Sequence, residues 1–500
     1  MDWKKIQKKE GIVFHKNKLN IIETIEKQAQ KNPNKTAIVF QSQEKNNKIQ
    51  KLTYQELIKK TNQFANYLKQ QDIKPNSRIF IFLPKTIDYY YLFLGIIKAG
   101  SIPCPIFEAF QEQGLYLRLD RGDANLVITN SILSKKLHKN KYKTLIINKK
   151  FKQELNKKNV DFKPVLKNKK DTCIMIFTSS TAGTPVAGIQ IPHQAIIQWK
   201  YTGKKVLKLN KNTRYFCSAH PAWITGSVYS IITPLTIGCT IYNISGRFNP
   251  LNWIKFFKEN KIQIIYTAPT VLRLLKNKAK KPDFKHVKYI FSVGEALQQS
   301  IVDYYKKFDV KIIDTYWQTE TGAIVIANIN QEPGSLGQEI NVKTKTRNNM
   351  ILIKKPWPAM MTGIYKHKKM YNQYFSGKEF KTFDLAKKKN NNFYFSGRKD
   401  DIIKTSGERV SPIEIENVLL KHPSVKETAV IGIPDKTLGE IIKAFVVLDS
   451  KFKKSSNLKK QLSSFVKKNY AGHSYPKEIE FIDKLPKGNS GKIIKDKLKR

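Results

Sequence analysis

Acidic residues are scarce in this chain: 39 Asp and Glu stand against 91 Lys and Arg, a formal net charge of +52 over 500 residues. Cysteine is scarcer still. Cys104, Cys173, Cys217 and Cys239 are scattered with no CxxC pair, which argues against a disulfide scaffold and a zinc site and leaves buried free thiols as the expectation. Long apolar runs are missing too. The most apolar stretch, Tyr89–Ile97, is broken by Lys98 and followed by Pro103 and Pro105, too short to span a bilayer. The start, MDWKKIQKKEG, is polar, so no export leader is expected and the cytoplasm is the expected compartment. The lysines are spread along the chain and accompanied by abundant Asn and Ile, which reads as the composition of an AT-rich coding sequence. A dedicated polyanion surface is the alternative. No specific nucleic-acid partner is expected.

What is present is a globular composition, 40% hydrophobic and 11% aromatic, long enough for more than one domain. Short apolar strands at Arg78–Leu83, Asn125–Thr129, Thr144–Ile147, Thr172–Phe177, Lys261–Tyr266, Val287–Ser292 and Val310–Asp314 alternate with helical periodicity at Thr53–Gln70 and Ile87–Lys98. That alternation predicts an α/β fold, with a large N-terminal domain of mostly parallel sheets at 1–398. Beyond about Asp400 the pattern changes. Helices at Pro412–Lys421 and Asn457–Lys468 flank strands at Thr428–Ile433 and Ile442–Leu448, with a turn read at Pro434-Asp435. A small α+β domain is therefore predicted at 399–500.

Five segments carry candidate chemistry. The loop Thr178-Ser179-Ser180-Thr181-Ala182-Gly183-Thr184-Pro185 follows a buried strand and offers hydroxyls and backbone N–H groups suited to phosphate; taken alone it reads first as an ordinary polar turn. Ser292-Val293-Gly294-Glu295 and Asp314-Thr315-Tyr316-Trp317-Gln318-Thr319-Glu320-Thr321-Gly322 each end a strand, where α/β folds place ligands. Glu320 suits a Mg²⁺ bridging phosphates. Gly397–Asn417 crowds Arg398, Lys399, Asp400 and Asp401 beside a Ser406-Gly407 turn and Arg409. Leu485–Ile493 presents Lys492 in a Gly/Ser turn.

Together these segments resemble the adenylate-forming superfamily of AMP-binding acyl-CoA synthetases. YWQTETG, Pro221–Gly226, Thr267–Leu275, Pro333–Gly337 and Lys355–Pro358 bring the resemblance closest to the acetyl-CoA synthetase branch. The resemblance implies ATP-dependent ligation of acetate to coenzyme A. Acetate and Mg-ATP give acetyl-AMP and pyrophosphate, then coenzyme A releases AMP. A ligase for another short acid such as propionate, and a decayed relative with weak ATP use, remain alternatives. Both monomer and homodimer stay open.

The resemblance also implies residue roles. Thr178, Ser179, Ser180, Thr181, Gly183 and Thr184 would cradle phosphates. Gly294, Glu295 and Ala296 would lie along the adenine. Asp314, Thr315, Tyr316, Trp317, Gln318 and Thr319 would hold the nucleotide, with Asp384 and Arg398 on the ribose and Arg409 on a phosphate. Lys492, Thr319 and Glu320 would be catalytic, and Ser406 and Gly407 would meet coenzyme A. Trp223, Ile224, Thr225, Val293 and Trp317 would wall the acyl pocket, the indole limiting it to acetate. Asp400 would be the hinge of a mobile C-terminal domain that swings between half-reactions. Three departures from the family pattern stand out. The phosphate loop reads TSSTAGTPVAG with no Lys or Arg from Phe177 to His193, Ala296 replaces a proline, and Phe383 replaces a glycine before Asp384. A lost charge-assisted phosphate contact would remove about 1.5–3 kcal/mol, roughly ten- to a hundred-fold in ATP affinity.

Overall fold

The computed structural model describes residues 2–43, 48–138, 140–178, 187–246, 248–278, 283–295, 297, 299–398, 403–410, 412–472, 474–486, 493 and 495–498. At 396–398, 409, 413 and 496 only the backbone is described.

Two compact units divide the chain. The first takes in Met1–Glu108, Gly122–Phe177 and Gly188–Gly397. Its centre is a nine-stranded sheet, counted among the described residues. Six parallel strands, in spatial order Lys311–Tyr316, Tyr289–Ser292, Ile264–Thr267, Arg214–Cys217, Thr240–Ser245 and Thr36–Ser42, form its middle. Antiparallel strands close both edges. A second, four-stranded parallel sheet orders Ile102–Ile106, Arg78–Phe82, Leu126–Thr129 and Thr144–Ile146. The apolar runs in these strands are buried, as both faces of a parallel sheet must be when helices cover them. Helix Tyr54–Gln70 illustrates the local logic. Thr53 and Glu56 form a reciprocal capping box, and Tyr54, Leu57, Phe64, Ala65 and Leu68 give it one buried face. An antiparallel sheet orders Thr344–Arg347, Met350–Lys354, Glu379–Lys389 and Phe375–Ser376, with Asn392–Arg398 paired to Glu379–Lys389, and a three-stranded sheet orders Gly363–Ile364, Ala187–Pro192 and Thr172–Thr178.

The second unit holds the residues from Arg398 onward together with Ala109–Arg121. Its sheet orders Glu408–Val410, Ile403–Thr405, Gly439–Leu448 and Val425–Asp435, with Glu478–Phe481 paired parallel to Gly439–Leu448. Helices Pro412–Leu419 and Ser456–Asn469 match the sequence reading to within a few residues. The turn does not fall at Pro434-Asp435: the strand runs through Asp435, whose Oδ1 accepts the N–H groups of Thr437 and Leu438 at 2.8 and 2.7 Å. That Asx turn moves the reversal past the proline. Helix Glu112–Arg121 lies far away in sequence but belongs here. Gln111 N–H donates to Tyr470 O at 3.1 Å, and Arg118 stacks 3.8 Å from the Phe110 ring centre.

The four cysteines are free and buried. Among the described residues no helix is long and apolar enough to cross a membrane.

Candidate active site

Thr267, Ser292 and Asp314 stand in register at the carboxyl ends of three adjacent parallel strands. The loops leaving those ends converge on one crevice, the position where open parallel sheets bind ligands. Gly294 takes φ +92° in the first loop. Glu295 follows, and its carboxylate turns inward: Arg273 Nη2 donates to Oε2 at 2.8 Å and Thr270 Oγ1 donates to the same group at 2.7 Å. Both charged side chains are about 95% buried. The acid thus anchors the Gly294-Glu295 loop to helix Pro269–Lys278.

The second loop is held by a denser network. Tyr316 Oη and Gln318 Nε2 both donate to Asp384 Oδ2, at 2.8 and 2.7 Å. Gln318 Nε2 also reaches Thr382 O at 2.8 Å. With two acceptors facing Nε2, the amide orientation is forced, and Oε1 is a buried acceptor with no hydrogen bond among the described residues. Ser292 Oγ is another. Two orphaned polar atoms at adjacent strand ends fit a site built for a polar ligand.

Thr319 is half-buried, and its backbone carbonyl accepts Gly322 N–H at 3.1 Å. Glu320 is buried and one oxygen receives Tyr374 Oη at 3.1 Å. Tyr374 meets Phe383 edge to face at 5.4 Å. Phe383 itself adopts φ +59°, a left-handed conformation that a bulky aromatic adopts only under constraint.

Trp317 is 4% exposed and doubly fixed. Its Nε1 donates to Tyr266 Oη at 3.0 Å, and Tyr229 packs edge-on at 5.0 Å. Tyr229 lies in a π-helical stretch, Gly226–Ile232, which directly follows the segment Trp223-Ile224-Thr225. Such wide turns are rare and recur at functional sites. That segment is set by His220. Nδ1 accepts Ala222 N–H at 3.0 Å, so Nε2 carries the proton. It stands 3.1 Å from Glu108 Oε2, without hydrogen-bond alignment. Burial holds the imidazole below its ordinary pKa, Glu108 partly offsetting. Nearby, Lys85 Nζ donates to Cys217 O and Ala219 O, and burial pushes the ammonium down to about 8.

Residues 25–352 match the model of the AMP-binding enzyme, and residues 414–492 match the AMP-binding enzyme C-terminal domain. The chain belongs to the AMP-binding enzyme family. Within this AMP-binding family it is 36% identical to the acetyl-coenzyme A synthetase of Bacillus subtilis, over 93% of this chain and 87% of that one. It is 28% identical to that of Emericella nidulans, over 97% and 82%. Its likeness to acetyl-coenzyme A synthetases places it among the AMP-forming acid–thiol ligases. Among solved structures, a Brucella canis acyl-CoA synthetase superposes with TM-score 0.73 at 26% identity, covering 100% of this chain and 97% of that one. The o-succinylbenzoate CoA synthetase of Bacillus subtilis gives 0.85 at 19% identity, over 96% and 98%, a likeness of fold.

Of the residues singled out from sequence, Gly294 and Glu295 follow one strand end, Asp314, Thr315, Tyr316, Trp317, Gln318, Thr319 and Glu320 lie on the adjacent strand and the loop after it, and Asp384 joins them through Tyr316 and Gln318. Thr178 ends strand Thr172–Thr178, half-buried. Ser179, Ser180, Thr181, Gly183, Thr184, Ala296, Asp400 and Lys492 lie outside the described residues, as do the side chains of Arg398 and Arg409. In the second unit, Ser406 and Gly407 take φ +55° and +80° between paired Thr405 and Glu408, the geometry of a type I′ hairpin turn. Tyr266, Tyr229, Arg273, Thr270 and Tyr374 were not read from the sequence as site residues. Tyr266 and the Thr270–Arg273 pair sit within the quoted Thr267–Leu275 motif or beside it, which was the available signal.

Proposed function

We propose that this protein activates acetate with Mg-ATP as acetyl-AMP, releasing pyrophosphate, and then transfers the acetyl group to coenzyme A. The observation that carries the reading is the buried indole of Trp317, pinned just past the strand end between Tyr266 and Tyr229. A fixed indole there would limit the acid to a short chain, since displacing it for a longer one would cost about 1–3 kcal/mol. Ile224, Thr225 and Val293 would form the remaining walls.

The nucleotide assignments follow the same crevice. The Gly294-Glu295 backbone would flank adenine, Asp384 and the free Oε1 of Gln318 would take ribose and nearby donors, and Thr319 would face phosphate. No group of three or more His, Cys, Asp or Glu side chains gathers among the described residues, so an all-protein metal cage is not the design there. Glu320 keeps one oxygen on Tyr374, and the other suits a Mg²⁺, which binds through one or two carboxylates plus phosphate oxygens and waters. The ion would neutralise charge on the phosphates. The carboxylate of acetate is already nucleophilic, so the protein's own contribution is positioning and electrostatic stabilisation. Lys492 would bridge the carboxylate and α-phosphate, Arg398 and Arg409 would hold ribose and phosphate, and Asp400 would be the hinge that exchanges Lys492 for the Ser406-Gly407 turn at the thiol.

The test is acetate-dependent ATP–pyrophosphate exchange on the purified protein, followed by thioester formation with coenzyme A. Exchange with acetate, weaker exchange with propionate and little with butyrate is the expected order. Nucleotide binding without any acid-dependent exchange would instead identify a decayed relative, the alternative raised by the lysine-free phosphate loop.

A further inference from the structure

The indole of Trp317 sits at the head of a one-way hydrogen-bond chain. Its Nε1–H can only donate, and it does so to Tyr266 Oη at 3.0 Å. Thr315 Oγ1 donates to the backbone carbonyl of Ser292 at 2.7 Å. Its hydrogen is therefore committed, and in the 2.8 Å contact between Tyr266 Oη and Thr315 Oγ1 the tyrosine must be the donor. The chain reads Trp317 to Tyr266 to Thr315 to Ser292 O, with every hydrogen assigned. All four residues are buried.

The other side of the indole is fixed by an equally determined set. Thr202 Oγ1 donates to Gln198 O at 2.8 Å. Tyr229 Oη consequently donates to Thr202, at 2.8 Å, and accepts Ile324 N–H at 3.1 Å. The Tyr229 ring thus has no freedom to turn, and it meets both Trp317 and Tyr266 edge to face at 5.0 and 5.8 Å.

We infer that Tyr266 is a positioning residue that sets the acyl-length limit: it holds the Trp317 indole in a single orientation, with Tyr229 as the opposing jaw. The inference rests on Trp317 closing the acyl pocket. Tyr266 touches neither acid nor nucleotide in this scheme. It acts through the indole, and through Thr315 it ties the pocket floor to the strand end that precedes Gly294-Glu295. Without the phenol oxygen, the buried indole N–H loses its acceptor and the ring gains an incentive to rotate toward another one. Rotation opens the floor.

The variant Tyr266→Phe removes one oxygen and keeps the ring. Its kcat/KM ratio for butyrate over acetate should rise about tenfold or more, while the KM for ATP changes by less than about twofold. A merely structural role would lower thermal stability and scale every acid alike, and an unchanged acid ratio overturns the inference. In a Trp317→Phe background, where no N–H needs an acceptor, Tyr266→Phe should leave the acid ratio where Trp317→Phe put it. Independent, multiplying effects also overturn it. If Tyr266→Phe fails to fold, Tyr229→Phe reads the other jaw: the same direction of change is expected, and no change refutes.

Binding of the two- and four-carbon acyl-sulfamoyl adenosines, measured by calorimetry, separates this from the functional reading. A wild-type protein that binds neither analogue refutes both. A wild-type protein that prefers the two-carbon analogue, with Tyr266→Phe keeping that preference, refutes only the role of Tyr266. Loss of the preference in Tyr266→Phe supports it.

Discussion

Arg273 and Glu295 form a buried ion pair at 2.8 Å across the base of the Gly294 loop. The pair makes the loop's own acid its tether. Removing one partner leaves the other charged and desolvated, which costs about 3–5 kcal/mol. Arg273→Met is therefore expected to lower the thermal midpoint sharply and raise the KM for ATP more than that for acetate. Arg273→Lys should retain part of both. Equal KM effects on the two substrates would show that the loop does not serve the nucleotide.

Asp384 receives two hydroxyl or amide donors on one oxygen. Asp384→Asn replaces charge-assisted bonds with neutral ones, a difference of about 1–2 kcal/mol. AMP affinity should fall roughly tenfold, measured by calorimetry, with acid preference unchanged. A shifted acid preference would mean that the carboxylate organises Trp317 rather than the ribose.

Phe383 offers an inverted mutational order. Phe383→Ala keeps the left-handed backbone, at a cost of about 1–2 kcal/mol for a non-glycine residue, and loses the ring against Tyr374. Phe383→Gly loses the same ring but relieves the backbone. The glycine variant should be the more stable of the two by about 1 kcal/mol, read from urea midpoints. The usual order, alanine above glycine, would show that the turn relaxes out of its positive φ.

Glu414 in the second unit titrates against burial. Desolvation pushes its carboxyl up to about 7, with Arg118 and Arg121 pulling the other way; Arg118 Nη2 stands 3.8 Å from Oε2. The native state therefore holds this proton more tightly than the unfolded chain. Stability from this group is present in full below the unfolded value near 4.5 and is lost as pH rises toward about 7, by up to about 3 kcal/mol. Glu414→Gln should match wild type near pH 4.5 and exceed it at pH 8, followed by denaturant midpoints. A constant offset across pH would contradict the assignment.

Lys492→Ala is expected to abolish acetate-dependent pyrophosphate exchange while leaving thioester formation from supplied acetyl-AMP largely intact. Survival of both half-reactions would remove Lys492 from the adenylation step.

The sequence made the parallel strands and the Trp317 and Glu320 loop visible because apolar runs that end in hydroxyl, glycine and acidic residues have few other uses. It did not make Tyr266 or Tyr229 visible, since each reads as one more aromatic in an apolar run. Their value lies in partners 51 and 88 residues away. Arg273 was hidden for a related reason: on helix Pro269–Lys278 it reads as surface charge, and only the fold supplies Glu295. The misplaced turn at Pro434-Asp435 reflects a proline tolerated inside a strand while an Asx turn further on does the reversing.

The crevice is closed by bonds between remote parts of the chain. Gln318 reaches Asp384 across 66 residues, and Tyr316 reaches it across 68. Contacts of such high sequence separation form only after the loops between them have been closed, which is slow in a growing or refolding chain. The proposed nucleotide site should consequently be among the last features to appear. The central sheet shares that delay, since its strands Thr36–Ser42 and Thr240–Ser245 pair across a still longer stretch of chain, so AMP binding would report that both the sheet and the loops at its strand ends are complete.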